Sequence, residues 1–595
     1  MRVADYIFKF LADLGTRHVF LVVGGGAMHL NDALKKNKRI KYICTHHEQA
    51  AAIAAEGYAR TTGGLSVVSV TSGPGGTNAL TGVIGQWLDS VPVLYLSGQV
   101  KHETTIASVP GSGLRQLGDQ EINIIDIVRP VTKYAQMVTD PKTIKSELEK
   151  AVYIATSGRP GPVWLDIPLD VQGALIDEQS LLGARLPNVS TTMGTATISR
   201  VVTQLQKAKR PVLVAGHGIR IAQAQKQLLK LVRLLNIPVV TTFNGFDLIA
   251  TSANNFIGRI GTLGSRAGNF ALQNADLVIC LGTRNNIRQV SYNWASFARH
   301  AKKIIVDIDA SELKKKTVKG DILVHGDAKV FIAELIKRIP QGFSLDPAWL
   351  QWCLARKKKY PVVLEEYKIP CKNCVHPYFF IETLTTALDN DAIVVAGNGT
   401  ACVALFQAGV VKEKQRIFWN SGCAAMGYDL PAAMGAALAA NREVVCITGD
   451  GSLQMNLQEL QTFRHHALPV KIFILNNQGY RSIEQTQDAF FNSDFIGCND
   501  GSGVSFPDNS KLADLYDLKY FRIDSTVKMK QVIRRVLSYG KAAICEVILD
   551  RNYIFSPKLS SEKKPDGRIV SKPLEDMYPF LARDEFYSNM LIKDM

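Results

Sequence analysis

The sequence predicts an α/β protein of three doubly wound domains, each built on a mainly parallel sheet. Two observations lead there. The chain of 595 residues is too long for one hydrophobic core and calls for two to four domains of ordinary size. Short apolar runs alternate with helical patterns in three successive series, each about as long as one domain, as expected of parallel sheets covered by helices.

The first series holds HVFLVV, LSVVSVTS, VPVLYLSG and PVWLDIP, giving a domain over 1–180. SLLGARLPNVSTTMGTATIS, mixed in Pro, Gly, Ser and Thr without periodicity, reads as a linker. The second series, RPVLVAG, IPVVTTF, ADLVICLG and KKIIVDID, gives a domain over 195–345. LARKKKYPVVLEEYKIPCKNCVHP, charged and punctuated by proline, reads as the next connection. The third series, AIVVAGN, REVVCITGDG, VKIFILNN and AAICEVIL, gives a domain over 370–555. The sheet pattern then stops, and 556–595 reads as a tail that could cover an active site.

Composition narrows the function classes. The net charge of +16 comes from 69 Lys and Arg against 53 Asp and Glu. These basic residues are spread out rather than gathered into an arm, so no nucleic-acid partner is expected. A basic field suits phosphate and carboxylate ligands. Asp5 and Asp13 interrupt MRVADYIFKFLADLG, which therefore reads as an amphipathic helix and not a signal peptide. No apolar run reaches the roughly 18 residues of a membrane span. Cys44, Cys280, Cys402, Cys446 and Cys545 lie in apolar segments, as expected of reduced, buried thiols in a cytoplasmic protein. Cys371 and Cys374 form one tight pair near His376, but no second pair stands at zinc spacing, so they read as loop cysteines.

The chemistry concentrates in Gly449-Asp450-Gly451-Ser452, which ends one strand and opens a helix, and in Asn476-Asn477 at the end of the next strand. Strand ends of this kind line the ligand crevice of a parallel sheet. The helix N-terminus suits a phosphate. Asp450 and Asn477 beside it offer the hard oxygen ligands that Mg²⁺ prefers. Each element alone is a common turn, and the 27-residue separation of Asp450 and Asn477 makes them a pair. Gly397-Asn398-Gly399-Thr400, after AIVVA, suits a second phosphate-cradling turn. Glu48 opens an alanine-rich helix directly after the strand KYICT. By itself it reads as a carboxylate well placed against the helix dipole.

The Gly-Asp-Gly and Asn-Asn pair resembles the motif of thiamine-diphosphate enzymes. The resemblance implies Mg²⁺ held by Asp450, Asn477 and the Gly479 carbonyl, bridging to the diphosphate among Gly397, Asn398, Gly399, Gly449, Gly451 and Ser452. It implies too that Glu48 hydrogen-bonds the pyrimidine N1′ and helps remove the thiazolium C2 proton. The match widens through Thr71–Asn78, Asp89–Pro92, Gly158–Val163, Ser421–Gly427 and Leu430–Ala433, and is similar to the acetolactate synthase family. That likeness makes the three domains pyrimidine-binding, central FAD-type and diphosphate-binding, and makes Met426 the wedge that bends the cofactor. Gly216, Gly218, the segment Gly261–Arg266, Arg284, Arg288, Asp307, Gly326 and Asp327 resemble its positions for a non-redox FAD, although strand-end Gly and Arg also serve packing. The implied reaction decarboxylates pyruvate or another 2-oxo acid and transfers the acyl carbanion to a carbonyl acceptor. The implied assembly is a homodimer or homotetramer.

Two segments depart from the family. Gln478-Gly479-Tyr480-Arg481-Ser482-Ile483-Glu484-Gln485-Thr486 puts Thr486 where the family has a tryptophan, and Leu21-Val22-Val23-Gly24-Gly25 replaces Gly-Tyr-Pro-Gly-Gly. Both lie where a second substrate approaches. A lost indole widens the site, and Arg481 either pairs with an anionic acceptor or lies on the surface. Delivery of acetyl to a larger ketone such as a nucleotide-linked keto sugar, a thiamine/FAD oxidase, and a non-catalytic homologue therefore remain as alternatives; the retained Glu48, Asp450 and Asn477 argue against the last.

Overall fold

The computed structural model describes residues 1–187, 193–563 and 565–592; residues 188–192 of the expected first linker lie outside this set. Its frame is three parallel six-stranded sheets. The first consists of β1 (His18–Leu21), β2 (Lys41–Cys44), β3 (Ser66–Val70), β4 (Val93–Gln99), β5 (Tyr134–Met137) and β6 (Val163–Pro168), in the order β2-β1-β3-β4-β6-β5. The second consists of β7 (Pro211–Ala215), β8 (Val239–Thr241), β9 (Phe256–Arg259), β10 (Leu277–Leu281), β11 (Lys302–Asp307) and β12 (Ile322–His325), in the order β12-β11-β10-β7-β8-β9. The third consists of β13 (Ile393–Ala396), β14 (Arg416–Phe418), β15 (Val444–Gly449), β16 (Val470–Asn476), β17 (Lys519–Ile523) and β18 (Ala543–Ile548), in the order β14-β13-β15-β16-β18-β17. The first and third sheets thus share one winding. The second has the winding of dinucleotide-binding sheets, with its reversal between β7 and β10.

The central strands are apolar along their whole length because helices cover both faces. In β3, β4, β7 and β10 every residue is buried. β2 lies at a sheet edge, and Cys44 at its end is exposed, contrary to the sequence expectation. Cys280, Cys402, Cys446 and Cys545 are buried free thiols, as expected. Cys371 and Cys374, which read as loop cysteines, form a disulfide.

The first and third sheets are joined through the helices Glu48–Thr62 and Asp429–Ala440. One apolar cluster runs from Phe20 and Val68 through Ala51, Ala55, Ala432 and Ala436 to Val395 and Ile474. The two backbones approach so closely that a Cβ on Gly57 would sit 2.1 Å from the Ala432 carbonyl oxygen, and one on Gly435 1.9 Å from that of Ala54. Glycine is required here by contact, not by torsion.

A buried polar knot joins all three sheets. Asp89 accepts hydrogen bonds from Arg60 Nη2 (2.8 Å), the Ser421 and Gly422 amides (3.0 and 3.1 Å) and Asn244 Nδ2 (3.3 Å). Arg60 also donates to Glu56 (2.8 Å), whose carboxylate accepts from Asn420. Nearby, burial alone would raise Asp247, but Arg220 and Arg416 outweigh it and hold the carboxyl at about 2.

The tail packs on the central domain. It forms strand pairs Lys558–Leu559 with Met577–Tyr578 and Ser561–Lys563 with Ile569–Ser571, then a helix at Arg583–Ser588. Asn269 Nδ2 donates to the Leu574 carbonyl (2.9 Å) and Gln273 Nε2 to Glu575 (2.6 Å), which holds the tail against the helix Arg266–Gln273.

The contact at Gly435 predicts that Gly435→Ala lowers stability by about 1–3 kcal/mol, the usual cost of overpacking. Gly540→Ala, where an added Cβ meets nothing within 4 Å, should change it by no more than about 0.5 kcal/mol. Thermal unfolding of the two variants at one scan rate checks the contrast.

Candidate active site

The winding of the third sheet reverses between β13 and β15, so the turns after β13, β15 and β16 gather at one edge. Asp450 is buried there. Its Oδ2 accepts from the amides of Asn477 (3.1 Å) and Gly479 (3.2 Å), and its Oδ1 from the Gly451 amide (2.8 Å). Burial pushes its carboxyl up to about 6, against the pull of those amides.

The neighbouring asparagines divide their work. Asn476 is committed: its Nδ2 donates to Glu546 (2.7 Å) and its Oδ1 accepts from the Gln478 amide (3.0 Å). Asn477 Nδ2 donates to Thr400 Oγ1 (3.4 Å) and the Tyr553 hydroxyl (3.3 Å), while its Oδ1 is buried without a hydrogen-bond partner among the described residues. An orphaned buried amide oxygen costs about 1–3 kcal/mol unless something fills it. Beside a buried carboxylate, it is a donor set fitted to a hard cation.

The cradle in front is open. A Cβ on Gly449 would meet nothing within 4 Å, and one on Gly399 (φ +85°) only Ser482 Oγ at 4.0 Å. A Cβ on Gly397 would sit 2.1 Å from Asp429 Oδ2. Ser452 Oγ donates to that Asp429 oxygen (2.6 Å) and accepts from the Gly427 amide (2.8 Å), so its hydroxyl is spent on structure. Asn398 Nδ2 donates to the Ala425 carbonyl (2.7 Å), tying the turn to the segment that carries half-buried Met426.

Glu48 starts the helix Glu48–Thr62, capped by His47, whose Nδ1 accepts from the Gln49 amide. Its carboxylate is buried and accepts from Asn78 Nδ2 (3.0 Å). Among the described residues no hydrogen bond or ion pair links it to Asp450, Asn477 or Gly479. The structure gathers the diphosphate-side residues, and the start of the Glu48 helix meets the same domain: Asn456 Nδ2 donates to Gln49 Oε1 (3.1 Å) and the His46 amide to Glu459 (2.9 Å).

A cavity of about 1070 Å³ opens at the reversal of the second sheet, lined by Gly218, Gly282, Arg284, Asp307 and Asp327. Gly282 (φ +56°) and Gly218 approach so closely that a Cβ on Gly218 would sit 2.8 Å from the Gly282 Cα. Gly216 lies behind this wall, 2.2 Å from the Gly282 carbonyl by the same measure. The Arg288 guanidinium lies over the ring of Phe243, 4.9 Å from its centroid, and Phe243 lines the cavity. Burial raises the Asp307 carboxyl, and the Asp309 amide donates to it (2.9 Å). Asp327 caps the following helix by accepting from the Val330 amide. One expected member is elsewhere: Arg266 donates to the carbonyls of Met577 and Pro579 in the tail.

Tyr553 is the site residue that sequence reading missed. Its hydroxyl pairs with Thr400 Oγ1 (2.6 Å) and accepts from Asn477. It follows the last sheet strand, where no periodicity marks it. Tyr480 was also silent; a Cβ on Gly451 would sit 2.1 Å from its ring. Thr486 is exposed, with its hydroxyl turned back to the Ser482 carbonyl (3.0 Å).

Three family models match this chain: the N-terminal TPP binding domain, the central domain and the C-terminal TPP binding domain of thiamine pyrophosphate enzymes, over residues 1–124, 198–335 and 397–547. The acetolactate synthase isozyme 3 large subunit of Escherichia coli (strain K12) is 34% identical over 532 residues, 86% of this chain and 88% of that protein. The acetolactate synthase large subunit of Lactococcus lactis subsp. lactis (strain IL1403) is 31% identical, covering 95% and 96%. Acetolactate synthase 2, chloroplastic, of Nicotiana tabacum is 31% identical, covering 94% and 83%. With three matched domains on three matching sheets, this chain belongs to the acetolactate synthase large-subunit family of thiamine pyrophosphate enzymes.

Proposed function

We propose that the chain catalyses thiamine-diphosphate-dependent decarboxylation of pyruvate and transfer of the acyl carbanion to a carbonyl acceptor, as the names of its relatives suggest. The observation that carries this reading is the buried pair of Asp450 and Asn477, a carboxylate and an unpartnered amide oxygen at the strand ends of a TPP-binding domain.

Bound thiamine diphosphate supplies the carbanion chemistry on which a 2-oxo acid loses CO₂. The protein supplies the rest. Asp450 and Asn477, with the Gly479 carbonyl, would hold Mg²⁺ against the diphosphate, and the turns at Gly397–Gly399 and Gly449–Gly451, open at Gly399 and Gly449, would receive its oxygens. Tyr553 and Thr400 fix the Asn477 amide so that its oxygen, not its nitrogen, is presented. Glu48 would hold the proton at the pyrimidine N1′, in the orientation that Asn78 gives its carboxylate. Met426 would pack against the cofactor.

We assign 1–180 to the pyrimidine side, 195–345 to the flavin-type domain and 370–555 to the diphosphate side. We also assign the chain to a homodimer or a homotetramer, as the resemblance to its family implies. The central cavity fits FAD in size and in its glycine-walled turns, with Arg284, Arg288, Asp307 and Asp327 in or beside it. Acyl transfer has no net electron change, so a flavin there would be structural. Among the described residues no helix is long and apolar enough to cross a membrane, and we place the enzyme in the cytoplasm.

Two variants separate binding from proton transfer. Glu48→Gln should retain thiamine diphosphate but lose turnover by roughly 10²-fold or more, the usual worth of a positioned acid–base group. Its C2 hydrogen–deuterium exchange, followed by NMR, should slow in parallel; exchange at the wild-type rate removes Glu48 from this role. Asp450→Ala should abolish Mg²⁺-dependent cofactor binding while the far-ultraviolet circular dichroism stays unchanged. Calorimetric titration reads the affinity, and an unaltered value counts against the metal site.

A further inference from the structure

The turn Cys371-Lys372-Asn373-Cys374 is a sequence feature that the reaction leaves unused. Its two sulfurs are joined, with the Cα atoms 5.5 Å apart, whereas the other eight cysteines are free thiols. In the cytoplasm, where we place the enzyme, an isolated disulfide is usually transient and catalytic or redox-sensing. Lys372 and Asn373 are exposed and both cysteines are half-buried, so a small dithiol can reach the bond. The disulfide also closes the loop between two rings that stack. Tyr367 lies four residues before Cys371 and His376 two residues after Cys374, and their ring centroids are 3.8 Å apart. Val375 ties this segment to the end of the third sheet: its amide donates to the Ile548 carbonyl (2.9 Å), and its carbonyl accepts from the Asp550 amide (3.1 Å). The His376 ring also meets the Tyr553 ring edge to face, with centroids 6.4 Å apart. Tyr553 in turn holds Asn477 Nδ2 and Thr400 Oγ1 at its hydroxyl. An unbroken line of contacts thus runs from the disulfide through His376 and Tyr553 to the amide that carries the unpartnered oxygen.

We propose that Cys371 and Cys374 are a reversible thiol–disulfide site, reduced by a dithiol, whose disulfide form holds Asn477 ready for Mg²⁺ and thiamine diphosphate and whose dithiol form binds them more weakly. The exchange balances. A thiolate of the reductant attacks one sulfur and breaks the Cys371–Cys374 bond, and its second thiol resolves the mixed disulfide. Two electrons and two protons pass to the cysteines, and the reductant leaves as its own disulfide. With the loop open, Tyr367 is no longer tied to its place over His376, and Tyr553 loses a fixed neighbour. Coupling between two sites is reciprocal in binding free energy, so bound cofactor makes the disulfide harder to reduce by the same factor.

The inference rests on the proposed cofactor site, and its test reads binding and thiol state in place of turnover. The full-length chain is prepared oxidised and, in parallel, reduced with dithiothreitol, and each form is titrated calorimetrically with thiamine diphosphate in the presence of Mg²⁺. Reduction should weaken binding by about fivefold or more, the lower end of a typical coupling. Alkylation followed by mass spectrometry should place the change in thiol state on Cys371 and Cys374. Cys371→Ser with Cys374→Ser should bind as the reduced chain does and ignore dithiothreitol. Tyr553→Phe, which keeps the disulfide and removes the hydroxyl, should narrow the difference between the two forms. Equal affinity of the oxidised and reduced chains overturns the proposal, as does a response to dithiothreitol that survives in the serine pair. Cysteines 371 and 374 that stay open to alkylation after oxidation overturn it too, and so does a full response in Tyr553→Phe. CO₂ release from pyruvate by the oxidised, cofactor-loaded enzyme reports on the carboligase reading alone.

Discussion

The fully buried Asp89 carboxylate is the constraint on which the assembly of this chain turns. It lies at the end of a helix in the first unit, yet its partners are the amides of Ser421 and Gly422 in the third and Asn244 in the second. Arg60 balances its charge and is itself shared with Glu56. A buried charge is tolerated only when every partner is present, so this group fixes all three sheets together or destabilises the chain. Its functional consequence is direct. Ser421 leads to Met426 and the cradle around Gly427, and Arg284, 3.9 Å from Asp89, lines the central cavity.

Around that knot, close approach does the positioning. Gly57 and Gly435 let two helix backbones meet, Gly397 leaves room for Asp429, and Gly451 leaves room for the Tyr480 ring. None of these glycines is needed for an unusual torsion; each is needed because another atom occupies the space of a Cβ. The same packing spends Ser452 and Asn476 on structure and leaves the Asn477 oxygen and the Asp450 carboxylate available.

Much of this was legible in the sequence. The apolar runs gave three parallel sheets because strands buried on both faces must be apolar throughout, and strand-end placement gave Asp450 and Asn477 because parallel topology collects carboxyl ends at one edge. What was not legible depended on contacts between distant segments. Tyr553 carries no periodic signal, and Arg266 looked like a ligand of the central domain until the tail occupied it. The strands and helix of the tail were not legible because its anchors, Asn269 and Gln273, lie some three hundred positions away in sequence. Cys44 read as buried because its strand is apolar, but an edge strand has one uncovered flank.

As a carboligase, the enzyme keeps its two-electron chemistry within the substrates. Incubation with pyruvate, Mg²⁺ and thiamine diphosphate in a closed vessel, with CO₂, acetolactate and dissolved oxygen followed together, tests this most directly. Equal amounts of CO₂ and acetolactate, two pyruvates consumed for each, and constant oxygen are expected. CO₂ release matched by oxygen uptake, or pyruvate left intact by cofactor-loaded enzyme, would contradict carboligation.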